Sequence, residues 1–437
     1  MGYKVQITGK RLRFLGLSLL VSVCAAAHTA EGTDTSDVAA QTVQAPQPAK
    51  TAGKTSKGLL FFYRLSDRVD RFLRQGIDTN YIDLPEHSWR LAYTNAMIGV
   101  NSRISSTSSE PVVGNGDVTL FNKTTPSVDL GFYAGYRGFG FGYSWDAIHA
   151  YAQRLSFSLG SKSLGLDFSI HTSTNIQTSL VAGEWSIPNL TKNNVVITNA
   201  NLNLWYALNS AHYSHQAAVK QSYIQKKTAG SLLLHLSYMS SQVSLSDTLK
   251  IPDMQLPLLP TLMSDMTAIR TRQIAVGIGY GINYTPNHGK VVLNASAAAM
   301  LVTYTVNLVS FYLPDSIAEG LPDEPMYNLR PSFPVHVTGN VRAAASWEIN
   351  RWVHLSAWAT GENIRFRSAI TANQNRIFLS NWDWKVQLSV GVRFGAGYER
   401  RNRALEAAGE LPQQVLRQPR PNKLPQWLTD FFYSPKL

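Results

Sequence analysis

From Gln273 to Tyr284 the chain alternates without a break. Ile274, Val276, Ile278, Tyr280, Ile282 and Tyr284 fall on one face, and Gln273, Ala275, Gly277, Gly279, Gly281 and Asn283 on the other. Successive side chains of a strand point to opposite faces, so this run predicts a strand with one apolar and one small, polar face. Trp384 to Phe394 repeats the pattern, with Val386, Leu388, Val390 and Val392 opposed by Lys385, Gln387, Ser389, Gly391 and Arg393. Shorter alternating runs recur at 128–136, 139–145, 155–159, 164–170, 202–206, 232–238 and 335–349. Soluble sandwiches alternate too, but these strands approach the 9–11 residues of a tilted bilayer crossing, and aromatics gather near their ends.

The connections order the strands. Six read in one direction, near 89–101, 138–146, 163–172, 231–240, 290–305 and 351–366. Six return, near 127–137, 154–160, 199–207, 273–284, 335–349 and 384–394. The junctions Arg137-Gly138, Gly160-Ser161-Lys162, Pro286-Asn287-His288-Gly289 and Asn350 are tight, whereas 102–126, 173–198, 241–272, 306–334 and 367–383 are long. Short turns inside and long loops outside are the outer-membrane rule. The pattern predicts an all-β fold: a closed antiparallel transmembrane barrel of about twelve strands over 88–395, with both termini periplasmic. One junction departs from the rule, the long turn 208–230 on the periplasmic side.

Other segments flank the barrel. Lys4, Lys10, Arg11 and Arg13 precede an apolar run from Phe14 to Ala27, the order of a secretory signal peptide over 1–27. Val23 before Cys24 is larger than a lipoprotein signal wants, so Cys24 leaves with the signal and the mature chain has no thiol. Residues 28–57 read as a disordered linker. In 58–87, Leu60, Phe61, Leu65, Val69, Phe72 and Leu73 recur at helical spacing, predicting an amphipathic helix over 60–74. Its apolar face could pack on the protein's own body or lie on a membrane surface. Residues 396–437, rich in Arg and Pro, read as a basic periplasmic tail.

Composition agrees with export to an envelope. Charged residues are only 16% and aromatics 11%. The net charge of +12 would suggest nucleic acid in a cytosolic chain, but export excludes that, and attraction to anionic head groups accounts for it better. A single Cys excludes a disulfide framework and a multi-thiol metal site. No phosphate-binding loop, dinucleotide fingerprint or zinc-protease pair is present, and nothing calls for a cofactor. The row assigned to the lumen carries charges of both signs, Asp129, Arg137, Asp146, Arg154, Asp167, Arg342, Glu348, Lys385 and Arg393, able to pair across a filled interior.

Two motifs carry a resemblance. The first is Asp78-Thr79-Asn80-Tyr81-Ile82 with Pro85 and Trp89. The second runs from Asn209 through Ser214, Ala217 and Ala218 to Gln225, Lys226, Ala229, Gly230 and Ser231. With the Gly-aromatic hairpin Leu130 to Tyr143, they resemble a Bacteroidota family of outer-membrane proteins, domain of unknown function 4421, over roughly 60–394. The resemblance implies a barrel and supplies no catalytic residues; His212 and His215 depart from the family pattern. Both motifs fall on the periplasmic side, so they are expected to meet, with Phe61, Leu65, Phe72 and Leu73 of the helix facing Tyr213 to Tyr223.

The leading functional expectation is non-enzymatic: a passive pore, a surface protein or an envelope scaffold. Its partners would be outer-membrane lipid and lipopolysaccharide, the barrel-assembly machinery and a periplasmic protein. The alternative is a lipid-modifying hydrolase. Outer-membrane lipid A deacylases and phospholipases look similar in placing a His-x-Ser pair on a barrel wall, and His354 and Ser356 are such a pair. The same spacing recurs at His171/Ser173, His212/Ser214 and His235/Ser237, so the motif alone discriminates little.

Overall fold

The computed structural model describes residues 57–407 apart from 108–116, 125–126, 148–152, 175, 183–184, 189–194, 246–265, 287–288, 312–325, 329–334, 370–375 and 396. The expected signal segment and linker, and the tail beyond 407, lie outside the described residues.

The elements are helix α1 (Lys57–Arg74), β1 (Ile82–Asp83), β2 (Trp89–Thr107), β3 (Asp117–Thr124), β4 (Ser127–Tyr136), β5 (Phe139–Asp146), β6 (Gln153–Gly160), β7 (Leu164–Ser173), β8 (Ile176–Ala182), β9 (Trp185–Ile187), β10 (Val195–Ala207), β11 (Ile224–Gln225), β12 (Ala229–Leu245), β13 (Met266–Tyr284), β14 (Val291–Phe311), β15 (Met326–Asn328), β16 (His336–Glu348), β17 (Val353–Ala369), β18 (Arg376–Phe394) and helix α2 (Tyr398–Ala407). Twelve of the strands close a ring in the order β2-β4-β5-β6-β7-β10-β12-β13-β14-β16-β17-β18, and β18 returns to β2 from Arg376↔Thr107 to Phe394↔Trp89. Every neighbouring pair is antiparallel, and closure leaves no free edge. These are the twelve strands the alternation predicts.

Exposure follows the predicted faces. Ile274, Val276, Ile278, Tyr280, Ile282 and Tyr284 are exposed, while Gln273, Ala275 and Asn283 are fully buried. The span Ile274 to Tyr284 is one bilayer crossing in length. Trp89, Tyr206, Tyr284, Trp347 and Phe394 lie at the strand ends nearest the chain termini, hereafter the terminal end, and the first four are exposed. Tyr238, Ile274 and Tyr304 form a register row towards the opposite, distal end. An apolar belt between aromatic rows is the surface of a barrel built to cross a bilayer.

The distal half differs from expectation. Strands assigned to end near 101, 240, 305 and 366 run on to Thr107, Leu245, Phe311 and Ala369. Part of the expected loops is also strand: β3 pairs with β2, β8 with β3 and β9 with β8, while β15 pairs with β14. Nothing in Asn101-Ser-Arg-Ile-Ser-Ser-Thr betrays a strand, because it has no continuous apolar outer row. A bulge between Ile274/Ala275 leaves Thr303 unpaired and reverses which parity of β14 faces outward: Leu301 is exposed below it and Tyr304 above. In the C-terminal segment, read as tail, 398–407 is helical.

Ile278→Arg puts a charge on the lipid face near mid-belt and should cost about 2–4 kcal/mol of barrel stability. Gln387→Lys, on a lumen-facing position beside a cavity, should be far milder. Gly279 is no neutral control, since a Cβ there would meet the Ala297 carbonyl at 2.6 Å and the Ala298 Cβ at 2.8 Å. Urea unfolding in lipid vesicles checks the pair, and equal loss at 278 and 387 would refute the face assignment.

Candidate functional site: a lumen closed by its own turn

The turn between β10 and β12 enters the lumen at the terminal end. Tyr213 is fully buried, and its hydroxyl lies where a Cβ on Gly281 would stand, so only glycine fits that wall position. Gln216 likewise occupies the space beside Gly160. Asn294 Nδ2 donates to the Tyr213 hydroxyl at 3.3 Å, and that hydroxyl bonds His215 Nδ1 at 2.9 Å. His215 stacks edge-on against Trp205, with ring centroids 4.8 Å apart. Ala218 and Val219 pack on Val292, Ala344 and Trp358. Lys220 Nζ lies 3.6 Å from Asp167, and Gln221 Nε2 donates to the Leu355 carbonyl at 3.3 Å. The turn thus touches the wall from β6 round to β17 and is a plug.

The two motifs meet, as expected. Residues 82–83 and 224–225 form an antiparallel ribbon, Ile82↔Gln225 and Asp83↔Ile224. Asp78 N donates to the Ala211 carbonyl at 2.9 Å, and Lys226 N to the Tyr81 carbonyl at 2.7 Å. Lys226 Nζ pairs with Asp83 at 2.9 Å. The Gln225 side chain is wholly buried and serves as a hub: Oε1 accepts from Ser214 N and Asn283 Nδ2, each at 3.0 Å, and Nε2 donates to the His212 carbonyl at 2.6 Å. Asn209 Nδ2 donates to the Gly230 carbonyl at 2.8 Å, and Asn209 N to Ser231 Oγ at 3.0 Å. Ala217 and Ala218 are buried, and Ala229 packs against the cluster of Trp205, Ala207, Tyr213 and Leu233. Pro85 and Trp89 lie apart from this hub: the Pro85 carbonyl accepts from Arg137 Nη1 at 2.5 Å, and the Trp89 ring packs at a tilt against Tyr136.

Of the expected face of helix α1 only Leu73 meets the turn. Leu73 packs with Ile82, Leu84 and Tyr223, and the Tyr223 hydroxyl reaches the Leu73 carbonyl at 3.5 Å. Phe61, Leu65 and Phe72 are exposed. The buried face is acidic instead. Asp70 is wholly buried and receives Arg137 in a fork, Nε at 2.6 Å and Nη2 at 2.9 Å, and also Arg401 of helix α2. Arg137, which the alternation assigns to the lumen, therefore turns out of the wall; its backbone φ of 52° sets the tight β4–β5 turn. Arg401 also donates to Ser66 Oγ at 2.8 Å. Periodicity reveals an amphipathic helix but not which face meets the protein.

Above the plug the lumen is crossed by side chains. β10 and β18 lie diametrically opposite in the ring, yet Asn381 Nδ2 donates to Asn199 Oδ1 at 3.1 Å, and Asn199 Nδ2 to Asp383 at 3.3 Å. Glu362 on β17 accepts from Asn201 at 2.7 Å, Asn203 at 3.1 Å and Asn340 at 2.5 Å. Arg342 on β16 reaches Asp167 on β7 at 3.3 Å. Met239, Ala275, Met300, Val302 and Ile364 form one buried apolar cluster beside the asparagines, and further towards the distal end the inward row itself turns apolar, with Ile104, Ile197, Val243, Ile269, Val309 and Leu379 buried. The lumen is polar in its middle only, not along its whole length. The asparagines were missed in the sequence, although Asn199, Asn201 and Asn203 at a spacing of two were a usable signal.

His354 and Ser356 both face the lumen, beside a cavity of about 100 Å³ also lined by Tyr133, Lys220, Glu362 and Lys385. No hydrogen bond joins His354 to Ser356, and the buried His354 Nδ1 has no hydrogen-bond partner among the described residues. The pair therefore shows no base-to-nucleophile contact of the kind that activates a serine. His212 does have partners, Asn209 Oδ1 at 3.1 Å and Asp78 at 3.4 Å. No cluster of metal-ligating side chains occurs among the described residues.

Two outcomes follow. Asp70→Ala leaves two arginines buried without their carboxylate and should weaken helix docking by about 3–5 kcal/mol, read as faster tryptic cleavage within 64–71. Burial, reinforced by Arg342, holds the His215 imidazole far below its ordinary range, and burial also lowers His212 despite Asp78. A base whose folded value is depressed leaves stability intact above its unfolded value and removes it as pH falls below that value. Plug protection against protease should therefore hold above about pH 6.5 and decline below it, and His215→Gln should flatten the decline.

No curated protein matches the chain. Among solved structures the barrel is similar to the outer-membrane protease OmpT of Escherichia coli, at 8% identity and TM-score 0.36 over 71% of this chain and 98% of that one. It is similar also to the translocator domain of the autotransporter NalP of Neisseria meningitidis, at 10% identity and TM-score 0.28 over 77% and 98%. A third is OprG of Pseudomonas aeruginosa, at 10% and 0.25 over 72% and 100%. The stretch holding both motifs and the whole ring, residues 76–394, matches the model of the family described as Domain of unknown function (DUF4421), and the chain belongs to that family.

Proposed function

We propose that this is a non-enzymatic outer-membrane protein, a plugged barrel that serves as an envelope scaffold or surface protein rather than as a passive pore. The observation that carries the reading is the bond from Asn381 to Asn199 across the full ring, with the 208–230 turn seated beneath it. Side chains bonded wall to wall, above a turn packed into the end, interrupt a continuous water column. The terminal end, with its short turns, would face the periplasm, and the long connections the exterior. Outer-membrane lipid and lipopolysaccharide would surround the belt, the barrel-assembly machinery would insert it, and a periplasmic partner would meet the cap; nucleic acid has no place in this reading. The hydrolase reading has less support, because His354 and Ser356 face a plugged interior while lipid acyl chains lie outside.

Refolded protein in a planar bilayer should show no steady conductance above background. Gly281→Leu, which denies Tyr213 its seat, should introduce one. Steady conductance of the unaltered protein would overturn the scaffold reading in favour of a pore. Labelling of Ser356 by a serine-directed fluorophosphonate, lost in His354→Ala, would overturn it in favour of a hydrolase.

A further inference from the structure

Helix α1 is docked with its polar face inward, which leaves its apolar side outward. Phe61, Phe62, Leu65 and Phe72 are 61%, 65%, 48% and 66% exposed. At 100° per residue they fall in one stripe, and Arg64, Arg68 and Arg71, all exposed, line one edge of it. Arg71 also pairs along the helix with Asp67 at 2.7 Å. Three large aromatics on one helix face water in few soluble proteins without a partner. What covers them is indicated by where the helix sits. The Tyr136 hydroxyl donates to Ser66 Oγ at 2.6 Å. Tyr136 belongs to the outward row of β4, and its ring lies 4.8 Å from Trp89, which in turn stacks on Phe394. Helix α1 is therefore fastened to the aromatic row of the barrel's outer surface at the terminal end. On the wheel, Phe62 is one step from Ser66, so the apolar stripe continues the lipid-facing belt past the barrel's edge.

We propose that helix α1 lies in the leaflet interface at the terminal end, its phenylalanines among acyl chains and Arg64, Arg68 and Arg71 on the phosphates of anionic glycerophospholipid. The chemistry fits both halves of the stripe: an apolar face sinks into the head-group boundary, and the arginine edge selects negative charge. The inward face is committed to Asp70 and its two arginines, so binding lipid requires no undocking. This inference rests on the membrane reading of the barrel but not on whether the lumen conducts.

The test uses the full chain, made free of thiols, with single cysteines at Phe61, Phe72 or Gln75 carrying an environment-sensitive fluorophore. Gln75 is exposed just past the helix end. The proteins are reconstituted in nanodiscs of phosphatidylcholine with or without phosphatidylglycerol. Labels at 61 and 72 should be blue-shifted and quenched by head-group-proximal nitroxide lipid, and label 75 quenched by aqueous iodide. Phosphatidylglycerol should strengthen the lipid quenching, and replacing Arg64, Arg68 and Arg71 with Gln should cancel that gain. Equal iodide quenching at 61, 72 and 75 would overturn the proposal. So would lipid-independent shielding that disappears when 408–437 is deleted, since the chain's own tail would then be the cover. Equal quenching in both nanodiscs would overturn the anionic preference. Intact heat-shifted gel mobility in each labelled protein separates these results from failure of the barrel itself.

Discussion

A ring of twelve strands encloses more width than the side chains of one wall can fill, lying between the packed eight-stranded barrel and the open porin. Filling that width is the constraint from which the other features follow. The chain meets it with side chains long enough to bond across the centre and with one turn folded back into the end. Gly160 and Gly281 lack side chains where Gln216 and Tyr213 must seat. Asn199, Asn201 and Asn203 stand where an opposing carboxylate or amide has to be reached. The wall is thus shaped by its contents.

The contents are layered. At the terminal end the plug is held by directional bonds through Gln225, a buried amide whose oxygen and nitrogen are both used. In the middle, carboxylates are surrounded by amides and arginines, which makes burial of charge tolerable. Nearer the distal end the row becomes apolar. Outside the barrel the same logic appears in reverse: Asp70 is sunk under helix α1 so that two arginines from distant parts of the chain converge on it. That ion cluster joins the first helix, the first tight turn and the last helix, and it turns the helix's phenylalanines outward.

Much of this could be read from the sequence. The strands were legible where the outer row is uniformly apolar, as in Ile274 to Tyr284, because lipid contact imposes one side-chain class on every second residue. They were illegible where that pressure lapses. Beyond the lipid belt, polar runs such as Ser102 to Thr107 alternate nothing visible, and in β14 the bulge at Thr303 swaps the parity midway. The meeting of the two motifs was inferable from topology alone, since both fall at one barrel end. The docking face of helix α1 was not, because amphipathicity is symmetric with respect to what each face meets. Deciding it needed the knowledge that Asp70 has Arg137 and Arg401 as neighbours, pairs 67 and 331 residues apart.

The claim that the turn is a packed plug inside a closed barrel is tested most directly by native-state amide hydrogen exchange in lipid nanodiscs. The account predicts that the amides of Ser214, Lys220, Gln221 and Lys226, each bonded in the structure, exchange on the slow scale of β12 and β13. Exchange of these four at the rate of a solvated loop, with the strands still protected, would contradict it.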